Sequence, residues 1–493
     1  MKIRFFIALM LLCVAASLQA QSVRDALRYS KTSPGFTARS LGVGGSLGSL
    51  GADLSVLTTN PAGLAWYRSS EISITPGVAG LSAKSRLTTG LANPEESESV
   101  TSFILGNAGL VIHSRPKQPS KWRTFNFAAS LSRTASFRRE LYYTGESPGS
   151  MTDRFVELAN GYLPEELEQI DPFEAYPAWQ VFAIDNPDPD APRTYVNDFA
   201  AQPSVMRSQS LVERGSIMEL ALSFATNYDE KLMLGATIGF PLLNYEYRSA
   251  YNETDIDSID VFEALDFNEQ LDTRGIGVNL RLGFIYRASQ LVRVGLAFHT
   301  PSWISMDDTW STTIAFLNDV NFERLEAESP IGEFSYNLAT PWRVIGSAGM
   351  VFGASGFLTA EVEYLDYGSA NFNFTKNDPS FQGEESSVNR QIDDQLGSAI
   401  AVRVGGEMAW EVFRFRAGLG LQQSPFQDDR SLNESIHFGL GIRENGFFLD
   451  LGYRYFNMKE GYVPYTLVSP SRQQQVDLTT NRSDFLLTLG FRF

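Results

Sequence analysis

Asn445-Gly446-Phe447-Phe448-Leu449-Asp450-Leu451-Gly452-Tyr453-Arg454-Tyr455-Phe456 reads as a tight turn running into a strand with two unlike faces. Phe447, Leu449, Leu451, Tyr453 and Tyr455 alternate with Phe448, Asp450, Gly452, Arg454 and Phe456, and successive side chains of an extended chain point to opposite sides. One face suits lipid; the other is polar or small. The pattern recurs upstream. Leu280, Leu282, Phe284 and Tyr286 alternate with Arg281, Gly283, Ile285 and Arg287, and Phe413, Phe415, Ala417, Leu419 and Leu421 with Arg414, Arg416, Gly418, Gly420 and Gln422. A soluble β-sandwich alternates as well, so periodicity alone leaves both architectures open.

The connections separate them. Apparent strands lie near 70–84, 100–113, 122–145, 210–227, 231–250, 271–288, 290–316, 332–353, 356–376, 395–410, 412–424, 433–444, 446–460 and 481–493, fourteen in all. Short links such as Tyr228-Asp229-Glu230, Ala288-Ser289-Gln290, Ala354-Ser355 and Asn445-Gly446 alternate with long ones at 146–209, 251–270, 377–394 and 461–480. Short turns on one rim and long loops on the other are the pattern of an outer-membrane barrel, and closure is how a sheet satisfies its backbone in lipid. The predicted fold is an all-β transmembrane barrel of about 14 antiparallel strands. Phe485, Leu487, Leu489, Phe491 and Phe493 give an apolar face ending in Phe, which resembles the signal read by barrel-assembly machinery.

At the other end, Lys2 and Arg4 precede the apolar run Phe5 to Leu18, and Leu18-Gln19-Ala20 offers a cleavage site. Residues 1–20 are expected to be a secretory signal peptide, too short to remain as a transmembrane helix. Cys13, the single cysteine, lies within it, so the mature chain is expected to have neither disulfide nor thiolate chemistry. Losing Lys2 and Arg4 takes the formal charge from -17 to -19, which disfavours nucleic acid as a partner.

Between leader and barrel, 21–69 read as short helices between glycines. Ser22-Val23-Arg24-Asp25 resembles a capping box opening a helix to about Lys31, Asn60-Pro61 is a helix start, and Asp53 caps an earlier short helix in the same way. So short a stretch buries little apolar surface alone and needs an enclosing partner; an N-terminal cap on a soluble domain and a plug inside a barrel are the two readings. Gly42-Val43-Gly44-Gly45-Ser46-Leu47-Gly48 has the wrong spacing, and no preceding strand, for a dinucleotide fingerprint.

Asp25-Ala26-Leu27-Arg28-Tyr29-Ser30, Thr37-Ala38-Arg39-Ser40-Leu41-Gly42-Val43-Gly44-Gly45, Asn60-Pro61-Ala62-Gly63, Thr340-Pro341-Trp342-Arg343 and Glu361-Val362-Glu363-Tyr364-Leu365-Asp366-Tyr367 together resemble the FadL/TodX family of outer-membrane transport proteins, especially its Bacteroidetes branch. The resemblance covers essentially the whole mature chain. It implies a fourteen-stranded barrel with an N-terminal hatch in the lumen, passage of hydrophobic compounds such as long-chain fatty acids or aromatic hydrocarbons, and sideways exit through the wall. Asn60, Pro61, Ala62 and Gly63 then correspond to the hatch motif, and the third strand is the first place to look for a wall gap.

Loop 146–209 is long enough for a capture site. Phe155, Leu158, Tyr162, Leu163 and Leu167 fall at helical spacing, with Pro164 starting a second helix, and Phe173, Tyr176, Trp179 and Phe182 follow. These side chains either form an apolar groove over the barrel mouth or pack the loop on itself. Arg281, Arg287, Arg403, Arg414, Arg416 and Arg454 have inward parity; each either meets a solute carboxylate or pairs with a lumenal acid. Acidic runs at Glu95-Glu96-Ser97-Glu98, Asp185–Asp190 and Asp255–Asp260 are solvated loops or divalent bridges to lipopolysaccharide. His113, His299 and His437 are the only histidines, and their spacing supports neither a Ser-His-acid set nor a haem or zinc centre.

The expectation is thus a non-enzymatic outer-membrane protein without cofactor or metal, monomeric, with hydrophobic solutes, membrane lipids and lipopolysaccharide as partners. The alternatives are a general diffusion porin or a structural barrel; an energy-coupled siderophore receptor needs a larger plug and barrel than this length supplies.

Overall fold

The computed structural model describes residues 22–89, 91–199, 202–320, 322–376, 378–469 and 472–493. The expected signal peptide, with Cys13, lies outside the described residues. The chain forms one closed antiparallel barrel. Its segments are β1 (Glu71–Thr88), β2 (Glu96–Ser114), β3 (Trp122–Ser136), β4 (Arg139–Pro148), β5 (Ser204–Tyr228), β6 (Leu232–Asp255), β7 (Phe262–Arg287), β8 (Val292–His299), β9 (Trp303–Asn318), β10 (Arg324–Glu328), β11 (Gly332–Ala339), β12 (Arg343–Val351), β13 (Gly356–Asp366), β14 (Asn371–Asn373), β15 (Ser398–Trp410), β16 (Phe413–Gln423), β17 (Leu432–Glu444), β18 (Phe447–Tyr462) and β19 (Gln475–Arg492). β19 closes on β1 from Glu71↔Arg492 to Thr88↔Gln475.

Fourteen strands go round, as expected, because four of them are interrupted. β8 and β9 both lie on β7 and are split at Thr300-Pro301-Ser302, while β11 and β12 are split around Pro341. Proline has no N–H for the ladder, so the continuous strands expected at 290–316 and 332–353 break there. β10, β11 and β12 form one strand, and β13 and β14 another, broken at Tyr367–Ser369. The opposite deviation occurs at the long-loop rim. β6 runs to Asp255 and β7 starts at Phe262, so most of the expected 251–270 loop is a hairpin; likewise the 461–480 loop shrinks to 463–474. These extensions carry polar residues on one face, while Tyr251, Phe262, Leu265 and Phe267 on the other join the loop's own core.

The third strand bends. β3 pairs with β2 only from Asn107↔Ser132 to Ser114↔Phe125, and its continuation β4 stays on β5 but leaves β2. The bend falls where the β3–β5 register shifts between Arg133 and Ala135 and where Gly215 takes φ +115, its carbonyl accepting the Phe137 N–H at 3.0 Å. β4 then crosses inside β1. Thr89 Oγ1 donates to Glu146 O at 3.0 Å, and Leu141 and Tyr143 pack with Ala83 and Leu87. The stretch of β2 from Glu96 to Gly106, paired to β1 on one side, is consequently not laddered to the third strand on the other.

Outward-facing Leu234, Ile238, Leu282, Leu296, Leu419 and Leu440 are exposed on the barrel, which makes sense only against lipid. Trp122, Tyr286, Trp410, Phe413, Phe447, Phe491 and Phe493 are exposed beside the short turns and form the aromatic girdle of that rim. Inside sits the N-terminal segment: α1 (Val23–Ser30), α2 (Ala38–Gly42), and 3-10 turns at Leu54–Thr58 and Pro61–Trp66. Almost all of 34–65 is buried.

Candidate functional site

The lumenal segment is built from local caps. Ser22 and Asp25 form the reciprocal capping box of α1, and Thr37 and Ser40 do the same for α2. Asp53 caps the Leu54–Thr58 turn through the Ser55 N–H at 2.9 Å and also takes the Thr37 hydroxyl at 2.9 Å. Asn60 Oδ1 accepts the Ala62 N–H at 3.2 Å. Its Nδ2 does what no local rule foresees, donating to Gly48 O within the segment (2.7 Å) and to Phe284 O in the wall (3.2 Å). Asn60, Pro61, Ala62 and Gly63 are all buried.

The wall receives this backbone on glycines. A Cβ on Gly283 would stand 2.2 Å from Asn60 Oδ1, and one on Gly235 2.4 Å from Pro61 C. On the opposite wall Gly405, Gly418 and Gly452 meet Val43 O, Gly44 N and Ala38 O at 2.3–2.5 Å by the same construction. Sequence reading placed Gly283, Gly418 and Gly452 on the small inward face but did not identify them as a seat; their shared parity was the available signal. Two histidines complete it, His299 Nε2 lying 2.6 Å from Thr59 O and His437 Nδ1 2.9 Å from Leu41 O. Both rings face inward and meet main-chain carbonyls.

Each of the singled-out arginines Arg281, Arg403, Arg416 and Arg454 meets a carboxylate. Arg281 pairs with Glu219, and Arg403 bridges Glu361 (3.1 Å) and Glu363 (2.5 Å). Arg416 joins Glu407 and Asp450, both at 2.6 Å, and Arg454 pairs with Asp484. Buried charge requires such partners. Arg287 and Arg414 lie at the short-turn rim, Arg287 3.8 Å from Glu230 and Arg414 bonded to the Glu411 and Phe413 carbonyls.

The connection between β4 and β5 carries α3 (Thr152–Ala159), α4 (Pro164–Ile170) and α5 (Ala175–Gln180). Phe155, edge-on to Phe267 at 5.8 Å, and Leu167 are both fully buried in the loop's own core. Leu163 is half-buried at the start of α4, Trp179 stacks on Tyr176 at 6.2 Å, and Phe182 is 65% exposed. Leu158 differs. With Phe173, Leu271, Trp310 and Tyr462 it lines a cavity of about 390 Å³ between loop, wall and α1. Arg24, Arg28, Arg139 and Arg154 line the same cavity. Arg28 and Arg139 engage Glu213, Arg154 engages Glu174 at 2.5 Å, and Arg24 lies 5.9 Å from the Tyr462 ring centroid. Beside them burial, reinforced by Glu174, pushes the Asp171 carboxyl up to about 6.

A second, smaller cavity of about 60 Å³ adjoins the third-strand bend, lined by Phe36, Leu41, Ile104, Gly106, Ala135, Ser136 and Leu486 with Arg133, Arg454, Arg482 and Asp484. Of the acidic runs, Glu95 bonds Lys84 at 3.0 Å; burial together with Asp260, Asp185 and Asp319 raises the Asp198 carboxyl. Among the described residues no cluster of three His, Cys, Asp or Glu is arranged for a metal ion.

No protein-family model matches the sequence, and no curated protein matches it. Solved structures do match in fold. A FadL homologue from Pseudomonas aeruginosa superposes with a TM-score of 0.55 at 14% identity, over 94% of this chain and 98% of that one. The toluene transporter TodX of P. putida gives 0.52 at 12% identity over 93% and 99%, and the toluene transporter TbuX of Ralstonia pickettii 0.50 at 12% over 93% and 99%. With its fourteen strands, its inward-bent third strand and its lumenal N-terminal helices, the chain has the fold of the FadL-like outer-membrane barrels.

Proposed function

We propose that this protein carries small hydrophobic compounds, long-chain fatty acids or similar molecules, across the outer membrane by passive diffusion. The lumenal segment 21–69 acts as the hatch, and 70–493 as the barrel. A solute enters beneath the α3–α5 loop into the larger cavity, passes α1, and leaves sideways where β4 has parted from β2. That parting is the observation that carries the reading: an opening in the wall beside a pocket to which Phe36, Leu41, Ile104 and Leu486 give an apolar side serves a solute that passes on into lipid. The seated segment, filling the bore between glycines of opposite walls, disfavours an open aqueous channel. The fold neighbours, two of them toluene transporters by name, are consistent with it.

Replacing Ala135 or Ser136, which line the smaller cavity, with Trp tests the exit. Uptake of a hydrophobic probe into liposomes should drop at least several-fold while the barrel stays assembled. Unchanged uptake refutes the exit, and a large steady conductance in planar bilayers would instead identify a general diffusion porin.

A further inference from the structure

The chain is acidic overall, with 57 Asp and Glu against 40 Lys and Arg, yet one turn of the short-turn rim departs from this. Arg115-Pro116-Lys117-Gln118-Pro119-Ser120-Lys121-Trp122-Arg123, joining β2 to β3, holds four cations and no acid. All four are exposed. Arg123 comes only within 3.8 Å of Asp229, and among the described residues Lys117, Lys121 and Lys231 of the adjoining β5–β6 turn have no carboxylate within ion-pair distance. The two turns are joined, the Asp229 N–H donating to Lys121 O at 2.6 Å. Directly beyond these cations an aromatic strip begins on the lipid side. Trp122 lies 5.0 Å from Tyr228 and 6.3 Å from Phe125, Phe125 stacks on Phe224 at 6.3 Å, and Phe127 meets Phe224 at 4.9 Å.

We propose that this corner is a binding site for an anionic glycerophospholipid of the inner leaflet. Lys117, Lys121 and Lys231 take the headgroup phosphate, and Trp122, Phe125, Phe127 and Phe224 take the acyl chains. The contiguity of charge and apolar surface selects the ligand. An acidic soluble protein would satisfy the lysines but leave the aromatic strip uncovered, whereas a lipid has its phosphate and its chains in the order the surface presents them. Snorkelling cations at the edge of an aromatic girdle are placed where headgroups lie. The site belongs to the same β2–β3–β5 panel that opens higher up at the third-strand bend, so the bound lipid floors the patch of bilayer onto which that opening gives. The inference rests on the barrel being embedded with its short turns toward the inner leaflet.

Full-length barrel is reconstituted in phosphatidylethanolamine bilayers doped with brominated phosphatidylglycerol or brominated phosphatidylethanolamine. Quenching at Trp122 is read as the difference between wild type and Trp122→Phe. The expected result is a preference for the glycerol lipid of about fivefold or more, the gain from one basic residue near an anionic lipid. It should fall to near parity in the Lys117→Gln/Lys121→Gln/Lys231→Gln variant and shrink at high salt. Equal quenching by the two lipids in wild type, or a preference that survives the triple substitution in a barrel with unchanged heat-modifiable mobility, overturns the site. Absence of quenching by either lipid overturns the embedding of this rim in the bilayer itself, so the two failures are told apart.

Discussion

Asn60→Ala separates the lumenal segment from the barrel energetically. The side chain is 1% exposed and makes three hydrogen bonds. Losing the cap on the Ala62 N–H costs about 1 kcal/mol, and losing the donations to Gly48 O and Phe284 O about 1 kcal/mol each. None of the three belongs to the strand ladder, so the sum, roughly 3 kcal/mol, falls on seating of the segment and not on closure of the barrel. At about 1.4 kcal/mol per decade, the unseated population should rise roughly a hundredfold. Hydrogen exchange followed by mass spectrometry reads this directly. Amides of 54–66 should lose protection by one to two orders of magnitude while those of β16 to β19 remain as in wild type, and leakage through the assembled barrel should rise. Unchanged protection in 54–66, or loss spread equally over the strands, would refute the argument that Asn60 joins segment to wall.

The wall glycines give a paired test: Gly283→Ala, whose Cβ would meet Asn60 Oδ1 at 2.2 Å, should weaken the same protection, whereas Gly346→Ala, with nothing within 4 Å, should not. For Asp171, raised to about 6 from 3.8, the folded loop binds the proton more tightly than the unfolded one. Its contribution is therefore full below pH 3.8 and lost as pH rises through 6, so proteolysis of the 149–203 loop should be faster at pH 8 than at pH 5 by an amount equivalent to about 1–2 kcal/mol after allowance for its partial exposure. Asp171→Asn should flatten that difference. Leu158→Asp, at the cavity lining rather than in the loop core, should reduce hydrophobic uptake about tenfold, the value of ~1–2 kcal/mol of apolar contact, without altering assembly; normal uptake would remove the cavity from the path.

Much of the barrel was legible because lipid on one side and a filled lumen on the other impose a period of two, and because rims differ in loop length. Legibility ended where that contrast fades. Above the membrane, β6, β7, β18 and β19 continue as strands, but with no lipid to face they read as loops. Pro301 and Pro341 carried the signal for their breaks openly. The bend of the third strand did not, since it arises from a register shift and a bulge shared with Gly215 on a different strand. At the site, caps such as Ser22 with Asp25, and Asn60 with Ala62, are local and were readable. The partners of the arginines were not: Glu219 reaches Arg281 across an intervening strand, and Glu361 meets Arg403 on the neighbouring one, relations set by register. Leu158 and Leu167 looked alike at helical spacing, yet one lines a cavity and the other fills a core, a difference decided by what packs opposite.

The join between segment and barrel has a mechanical consequence. Four residues, 67–70, join the end of the Pro61–Trp66 turn to the start of β1 at Glu71, a leash of at most roughly 18 Å from Trp66 to Glu71. It is tied down further: the Tyr67 hydroxyl donates to Glu71 Oε1 at 3.1 Å, and Ser70 exchanges two main-chain hydrogen bonds with Phe493 at 3.0 Å, at the seam where β19 meets β1. The segment is thus a tongue rooted at the seam, not a cork that can be expelled. Its far end, α1, lines the large cavity, so under the proposed path a solute there would press at the tip of the lever, with the greatest stroke for the least disturbance at the root.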